Sequence, residues 1–192
     1  MKYVPHKYQE AVLDEMMEKG KLALLLDPGM GKTSICLEDF RRRREGLIAE
    51  RALVVAPLRV CHATWPNEVK KWTCFKKFNV HVAHGKGRDI HRINAADIVV
   101  INPEGLKWML ENDHALFDFD VLYADESTLF KNSNSGRSKL MYRAAKDIPF
   151  KFILTGTPAP NGVEDLFGQF KVLGDEILGK TLTGFRGDFH FR

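Results

Sequence analysis

The sequence is poor in cysteine and has no long apolar run, and each shortage removes a class of protein. Its three cysteines, Cys36, Cys61 and Cys74, are odd in number and scattered, which argues against a disulfide framework and for a reducing cytosol. Cys61, His62, Cys74, His81 and His84 crowd one stretch, but their spacing matches no paired metal-ligand pattern. Buried thiols and surface imidazoles are the expectation, without zinc. No apolar run approaches the ~18 residues of a membrane span, and the N-terminus lacks the apolar segment of a signal peptide. A soluble, cytoplasmic protein with no membrane partner is therefore expected. There is no linker, repeat or low-complexity tract either, so the 192 residues suit one layered domain, 1–192, with 44% apolar residues to fill a core. The net charge of +4 is compatible with a polyanionic partner without demanding one.

What is present is organised around Lys21 to Ser34. Leu22 to Leu26 is a continuous apolar run of strand length, expected to be buried on both faces. Pro28, Gly29 and Gly31 then bend the backbone, and Lys32-Thr33 open a segment in which Ile35, Leu37 and Phe40 suit a helix. Strand, glycine loop and helix make a phosphate cradle. Successive backbone N–H groups converge on phosphate oxygens, and the free N–H groups of the helix start add positive potential. Lys32 would reach the β- and γ-phosphates and the Thr33 hydroxyl would hold Mg²⁺. The plainer alternative is an ordinary glycine turn, outweighed by Gly-x-Gly-Lys-Thr following directly on an apolar run. One position departs from the usual motif: Leu26 stands where a small residue opens it, while Gly29 restores the tight turn.

Ahead of this loop, Ala11, Val12, Met16 and Met17 fit one face of a helix and place Gln9 near its start. The Gln9 amide carries the donor and acceptor needed to read an adenine edge, and Tyr8 or a neighbour could stack on the base; alone, a solvated glutamine is the better reading. Behind the loop, Arg41 to Arg44 is either the cationic end of a helix set against its dipole or a phosphate contact. Ala52 to Ala56 reads as a buried strand stopped by Pro57. Arg59 to Trp72 reads as a helix on the sheet, with Trp65, Val69 and Trp72 as core. Strands follow at Phe78 to Val82, Asp97 to Ile101 and Phe119 to Ala124, with a helix over Glu104 to Leu110.

The strand at Phe119 to Ala124 runs into Asp125-Glu126. At the carboxyl end of such a strand, Asp125 would hold Mg²⁺ and Glu126 would orient the attacking water as general base; a solvated acidic turn is the alternative. A polar loop from Ser127 leads into a helix through Ala145. The last strand, Phe152 to Leu154, exits at Thr155-Gly156-Thr157-Pro158, whose hydroxyls could bond to a neighbouring carboxylate and link that exit to the acidic turn. Val163 to Leu173 is a further helical pattern. Phe185, Phe189 and Phe191 are expected as exposed aromatics at a truncated end or a contact surface.

With these residues in order, the chain resembles the first RecA-like domain of a superfamily-two helicase, most similar to Swi/Snf-type double-stranded DNA translocases and especially to compact phage-encoded ones. The resemblance implies an α/β RecA-like P-loop NTPase domain, a mostly parallel sheet with helices on both faces. It gives Tyr8-Gln9 as the adenine-reading motif and Asp27 to Thr33 as motif I, so that Gln9, Pro28, Gly29, Met30, Gly31, Lys32, Thr33 and Ser34 would bind ATP. Ala56-Pro57-Leu58 with Trp65, Glu68 and Trp72 resembles motif Ia and its following helix, and Asn102-Pro103-Glu104 lies near motif Ib. Asp125 to Thr128 with Lys131-Asn132 resembles motif II, and Leu154 to Pro158 with Asn161 resembles motif III. Lys32, Asp125 and Glu126 would then be catalytic, Thr33 and Asp125 would hold Mg²⁺, and Thr155, Gly156 and Thr157 would couple nucleotide state to DNA. Pro57, Arg59, Asn102, Lys131 and Asn132 would face nucleic acid.

Two departures stand out. Ser127-Thr128 replaces the family's usual Ala-His, so the contact of that histidine is lost or falls to Thr128. Nothing resembles the second RecA-like domain, which in the family supplies arginine fingers and half of the cleft; it is expected in cis or in trans, and the chain alone should bind better than it turns over. The function implied is an ATP-dependent motor on duplex DNA, in the host cytoplasm if phage-encoded. A binding module of helicase fold with little turnover and an RNA-directed relative stay open as alternatives.

Overall fold

The computed structural model describes residues 1–112 and 118–189. Six strands form one sheet: β1 (Lys21–Leu25), β2 (Ala52–Val55), β3 (Val80–Val82), β4 (Ile98–Ile101), β5 (Val121–Asp125) and β6 (Phe150–Thr155). Their order is β1-β6-β5-β2-β4-β3, and every pairing is parallel. A parallel sheet needs cover on both faces, which is why β2, β4 and β5 up to Ala124 are apolar runs, and every residue of the three strands is buried. Successive side chains alternate between faces. Val54, Val100, Tyr123 and Phe152 point into one core, with α1 (Lys7–Lys19), α2 (Lys32–Glu45) and α4 (Thr64–Lys71). Leu53, Val99, Leu122 and Ile153 point into the other, with α5 (Ile90–Asn94), α6 (Gly105–Glu111) and α7 (Gly136–Ala145).

Parallel pairing also carries the carboxyl ends of all six strands to one edge. That edge holds the loops after Leu25, Val55, Ile101, Asp125 and Thr155, so motifs scattered through the sequence become neighbours.

Three expectations change. β1 is an edge strand with β6 as its partner among the described residues; Leu22 and Ala23 are half-buried and Leu25 is 46% exposed. An apolar run does not distinguish a central strand from an edge. The helix expected from Arg59 to Trp72 is two helices, α3 (Leu58–His62) and α4, broken at Ala63. Pro66 has no N–H for the His62 carbonyl, so it fits the first turn of a new helix and not the middle of a long one. Phe185 lies in α10 (Leu182–Phe189), 2% exposed, with its ring 5.7 Å from that of Phe167. The Phe189 side chain and Phe191 lie outside the described residues.

The arginine run is taken up inside the fold. Arg41 pairs with Glu38 and Glu45, Arg42 with Glu10 and Glu38, and Arg44 with Asp97. Arg43 is 1% exposed: its Nε donates to both oxygens of Asp39 at 3.0 Å, and its guanidinium lies 4.2 Å from the centre of the Phe150 ring. Asp39 also accepts from the Tyr123 hydroxyl at 2.6 Å, so α2 is bolted to the middle of the sheet. Among the described residues no helix is long and apolar enough to cross a membrane.

Candidate nucleotide site

The loop between β1 and α2 is built by its backbone. Gly29 and Gly31 have φ of 85° and 75°, in the left-handed region open to glycine, and the Met30 amide donates to the Asp27 carbonyl at 3.3 Å. A Cβ on Gly31 would stand 2.6 Å from Gln9 Nε2, so that position also needs glycine for space. The Lys32 ammonium folds back on the loop, donating to the Leu26 carbonyl at 2.7 Å and the Asp27 carbonyl at 3.2 Å. Leu26 joins the closure through its carbonyl while its side chain packs against the core, which accommodates the departure from a small residue there.

Gln9 stands where the sequence places it and is 4% exposed. Its Oε1 accepts from the His6 amide at 2.9 Å and from the Tyr3 hydroxyl at 3.3 Å, and its Nε2 donates to the Met30 carbonyl at 3.3 Å. Tyr8 donates to the same carbonyl at 3.0 Å. Gln9 thus caps α1 and braces the loop. Met30 turns its carbonyl toward α1, and Ser34 donates from Oγ to the Gly31 carbonyl at 2.9 Å.

Across from the loop stands the acidic turn. Gln9, Pro28, Gly29, Gly31, Lys32, Thr33, Ser34, Asp125 and Glu126 all border one cleft of about 600 Å³. Asp125 is 6% exposed and bonded on both oxygens: the Trp65 indole Nε1 donates to Oδ2 at 3.0 Å, and the Glu126 amide to Oδ1 at 3.1 Å. Burial raises the Asp125 pKa; the Trp65 hydrogen bond and the Lys32 charge oppose the rise, and the Glu126 charge adds to it. Glu126 has φ of 53°, a strained conformation for a residue with a side chain, at the point where the chain leaves β5.

The third segment, Thr155 to Pro158, lies against the loop by close packing. A Cβ on Gly156 would stand 2.9 Å from Pro28 Cδ, so glycine lets the exit of β6 touch motif I. The expected link from these threonines to a carboxylate is not there: Thr155 Oγ1 accepts from the Thr157 amide at 3.0 Å, and among the described residues no carboxylate accepts from either hydroxyl. The connection runs instead through Gln169, which is 1% exposed. Ser127 donates from Oγ to Gln169 Oε1 at 2.7 Å, and Gln169 Nε2 donates to the Pro158 carbonyl at 2.6 Å and the Asp165 carbonyl at 2.8 Å. Ser127, not Thr128, carries the bond. Sequence reasoning missed Gln169 and the polar role of Trp65, and a fully buried serine beside the acidic pair gives no local sign of its partner.

Pro57, Arg59, Asn102, Lys131 and Asn132 all follow the carboxyl ends of strands. Arg59 is exposed, and Lys131 lies 3.5 Å from Asp165. Asn132 Oδ1 accepts from the Asn134 amide at 3.1 Å. Asn102 is buried, donating to Glu104 at 2.7 Å, and its Oδ1 has no partner among the described residues. His62 and His84 meet at 3.4 Å, and the three thiols are free.

Comparison with known proteins gives the family and a matching fold. The SNF2-related domain family profile matches residues 8–191. Protein p41 of Acyrthosiphon pisum secondary endosymbiont phage 1 is 31% identical over 193 residues, which cover 95% of this chain and 42% of that protein. The chromatin remodeling factor mit1 of Schizosaccharomyces pombe is 34% identical over 138 residues, 63% of this chain and 9% of that protein. Among solved structures, the SWI2/SNF2 ATPase core of Sulfolobus solfataricus in complex with dsDNA superposes with a TM-score of 0.79 at 24% identity, covering 97% of this chain and 39% of that one. The chain spans less than half the length of each of these relatives. With a family profile matched over nearly its whole length and the fold of that ATPase core, the chain belongs to the SNF2-related domain family.

Proposed function

We propose that this chain is the ATP-binding half of a DNA-dependent ATPase that moves on duplex DNA. The observation that carries this reading is the placement of Lys32 and Thr33 across one cleft from Asp125 and Glu126, where burial raises the Asp125 pKa and the ammonium's charge is near enough to oppose that rise. The cleft fits a nucleotide triphosphate and its metal. Gly29 borders the cleft with open space where a side chain would stand, leaving the loop backbone bare toward a ligand, and the Thr33 hydroxyl with the Asp125 carboxylate is the oxygen donor set that a hard divalent cation prefers.

In this reading the triphosphate lies along Pro28 to Ser34, held by backbone N–H groups and the start of α2. Lys32 would leave the Leu26 and Asp27 carbonyls for the β- and γ-phosphates, and Thr33 and Asp125 would hold Mg²⁺. The metal, when bound, offsets charge on the transferring phosphoryl. Glu126 orients water for in-line attack. Gln9 reads the adenine edge once the long bond from Tyr3 is released. A second RecA-like domain, in cis or in trans, supplies the arginines that complete the charge on the phosphoryl.

Duplex DNA would cross the strand-exit loops at Pro57, Arg59, Asn102, Lys131 and Asn132, contacted mainly through its phosphates. Support comes from family membership and from the dsDNA bound to the Sulfolobus ATPase core. Thr155, Gly156 and Thr157 would relay nucleotide state through the Gly156 contact with the loop. The test is Mg²⁺-dependent ATP hydrolysis by the chain joined to its second domain, with and without duplex DNA. Stimulation by the duplex that fades steeply with salt supports the reading. No stimulation together with an unaffected Lys32→Ala variant overturns it, and greater stimulation by RNA would reassign the track.

A further inference from the structure

The metal carboxylate does not choose its own orientation. Asp125 Oδ2 accepts from the indole N–H of Trp65, a residue 60 positions away whose side chain is wholly buried. The indole is clamped: its ring centre lies 6.0 Å from that of Tyr123, two residues before Asp125 on the same strand. Tyr123 is fixed in turn by its hydrogen bond to Asp39, and Asp39 by Arg43, on the helix that begins with Lys32 and Thr33. With Oδ1 taking the Glu126 amide, each carboxylate oxygen has one protein donor and keeps lone-pair capacity for the cleft.

The chemistry of the donor matters. An indole N–H donates, never accepts, and carries no charge. A lysine or arginine in its place would orient the carboxylate but also neutralise it and repel a cation, whereas an indole orients it and leaves its charge intact. We propose that Trp65 is a positioning residue for the metal carboxylate, holding Asp125 in the rotamer that meets the cation beside Thr33. This rests on the nucleotide reading above and adds to it a residue outside the phosphate loop and the acidic turn.

The test replaces Trp65 in the full chain by 3-benzothienylalanine, which keeps the ring outline but has sulfur in place of N–H, with Trp65→Phe as a second variant. ATP affinity is measured by calorimetry with excess Mg²⁺ and again with EDTA, and the ratio of the two reports the metal's contribution. The expected result is a loss of about tenfold in that ratio for the benzothienyl variant, the lower end of what removing an outer partner of a metal ligand costs, with the EDTA affinity unchanged. In nitrogen-15 spectra the Trp65 indole resonance, assigned by its absence in Trp65→Phe, should move in Asp125→Asn and again on adding Mg²⁺ with ADP.

A wild-type ratio in the benzothienyl variant beside a Mg²⁺-dependent parent overturns this proposal alone, as does an indole resonance blind to Asp125→Asn. A parent whose ATP affinity ignores both Mg²⁺ and Lys32→Ala overturns the nucleotide reading and this proposal with it.

Discussion

The two walls of the cleft are made differently. The glycine loop closes largely on itself: Met30 to Asp27, Lys32 to the Leu26 and Asp27 carbonyls and Ser34 to Gly31 all fall within a few positions, with Gln9 and Tyr8 of α1 bracing it at the Met30 carbonyl. The acidic turn is held by side chains from far along the chain, Trp65 at 60 positions and Gln169 at 42. A wall closed mostly by bonds to its own carbonyls tolerates most side-chain changes and fails at a few positions. A wall built from distant side chains depends on residues that bear no chemistry themselves and lie outside its motif.

The largest expected effect tests the first wall at one of its few sensitive positions. On the proposed nucleotide reading, Lys32→Ala removes the cation that would reach the phosphates, and ATP hydrolysis by the chain joined to a second RecA-like domain should fall by roughly 10²–10³-fold, the range for deleting one preorganised charge-stabilising donor. Folding should change little, by about 1 kcal/mol, because the two loop carbonyls released lie half-buried or exposed, where water replaces the ammonium. Turnover assays with a urea titration of the same protein check both halves. A large loss of stability would show that the loop leans on its lysine as the acidic turn leans on Trp65, and the contrast would fail.

The second wall should show the opposite behaviour. Gln169→Leu leaves the Ser127 hydroxyl and the Pro158 and Asp165 carbonyls without their partner, costing about 2–3 kcal/mol; Ser127→Ala should cost about 1 kcal/mol. The double variant should be less destabilised than the sum by roughly 1 kcal/mol, since the two residues share one bond. Denaturant unfolding of the four proteins measures this. Strict additivity would mean that Ser127 and Gln169 are neighbours without a working link between the acidic turn and Pro158.

The same contrast explains what the sequence made legible. Ala52–Val55, Ile98–Ile101 and Val121–Asp125 are readable as strands because a parallel sheet buries both faces, leaving runs that need no outside information. That Lys32, Thr33, Asp125 and Glu126 would border one cleft is readable because both pairs sit in contiguous motifs just after apolar strands. Trp65 shows where such reading stops. Its helical spacing with Val69 and Trp72 correctly marks it as core, but spacing is silent on which carboxylate its N–H will meet. The edge position of β1 was hidden for a similar reason, since sheet order is decided by crossovers and not by the strand itself. The break at Ala63 was different: Pro66 carries the signal, and a reading from the spacing of Trp65, Val69 and Trp72 alone passes over it.

Leu26 offers the mildest and most discriminating test. It replaces the small residue that usually opens the motif, which raised the question of whether the loop could keep its shape. Its carbonyl takes the Lys32 ammonium while its half-buried side chain packs against the core, so the two halves of the residue do separate jobs. Leu26→Ala removes the packing and spares the carbonyl. The cost should be about 1–2 kcal/mol, below the 2–5 kcal/mol of a fully buried leucine, while ATP affinity with Mg²⁺ stays within about twofold. Thermal unfolding and calorimetric titration of one preparation separate the two. If affinity falls in step with stability, the loop's geometry is set by side-chain packing after all, and the two walls differ only in how far away their supports lie.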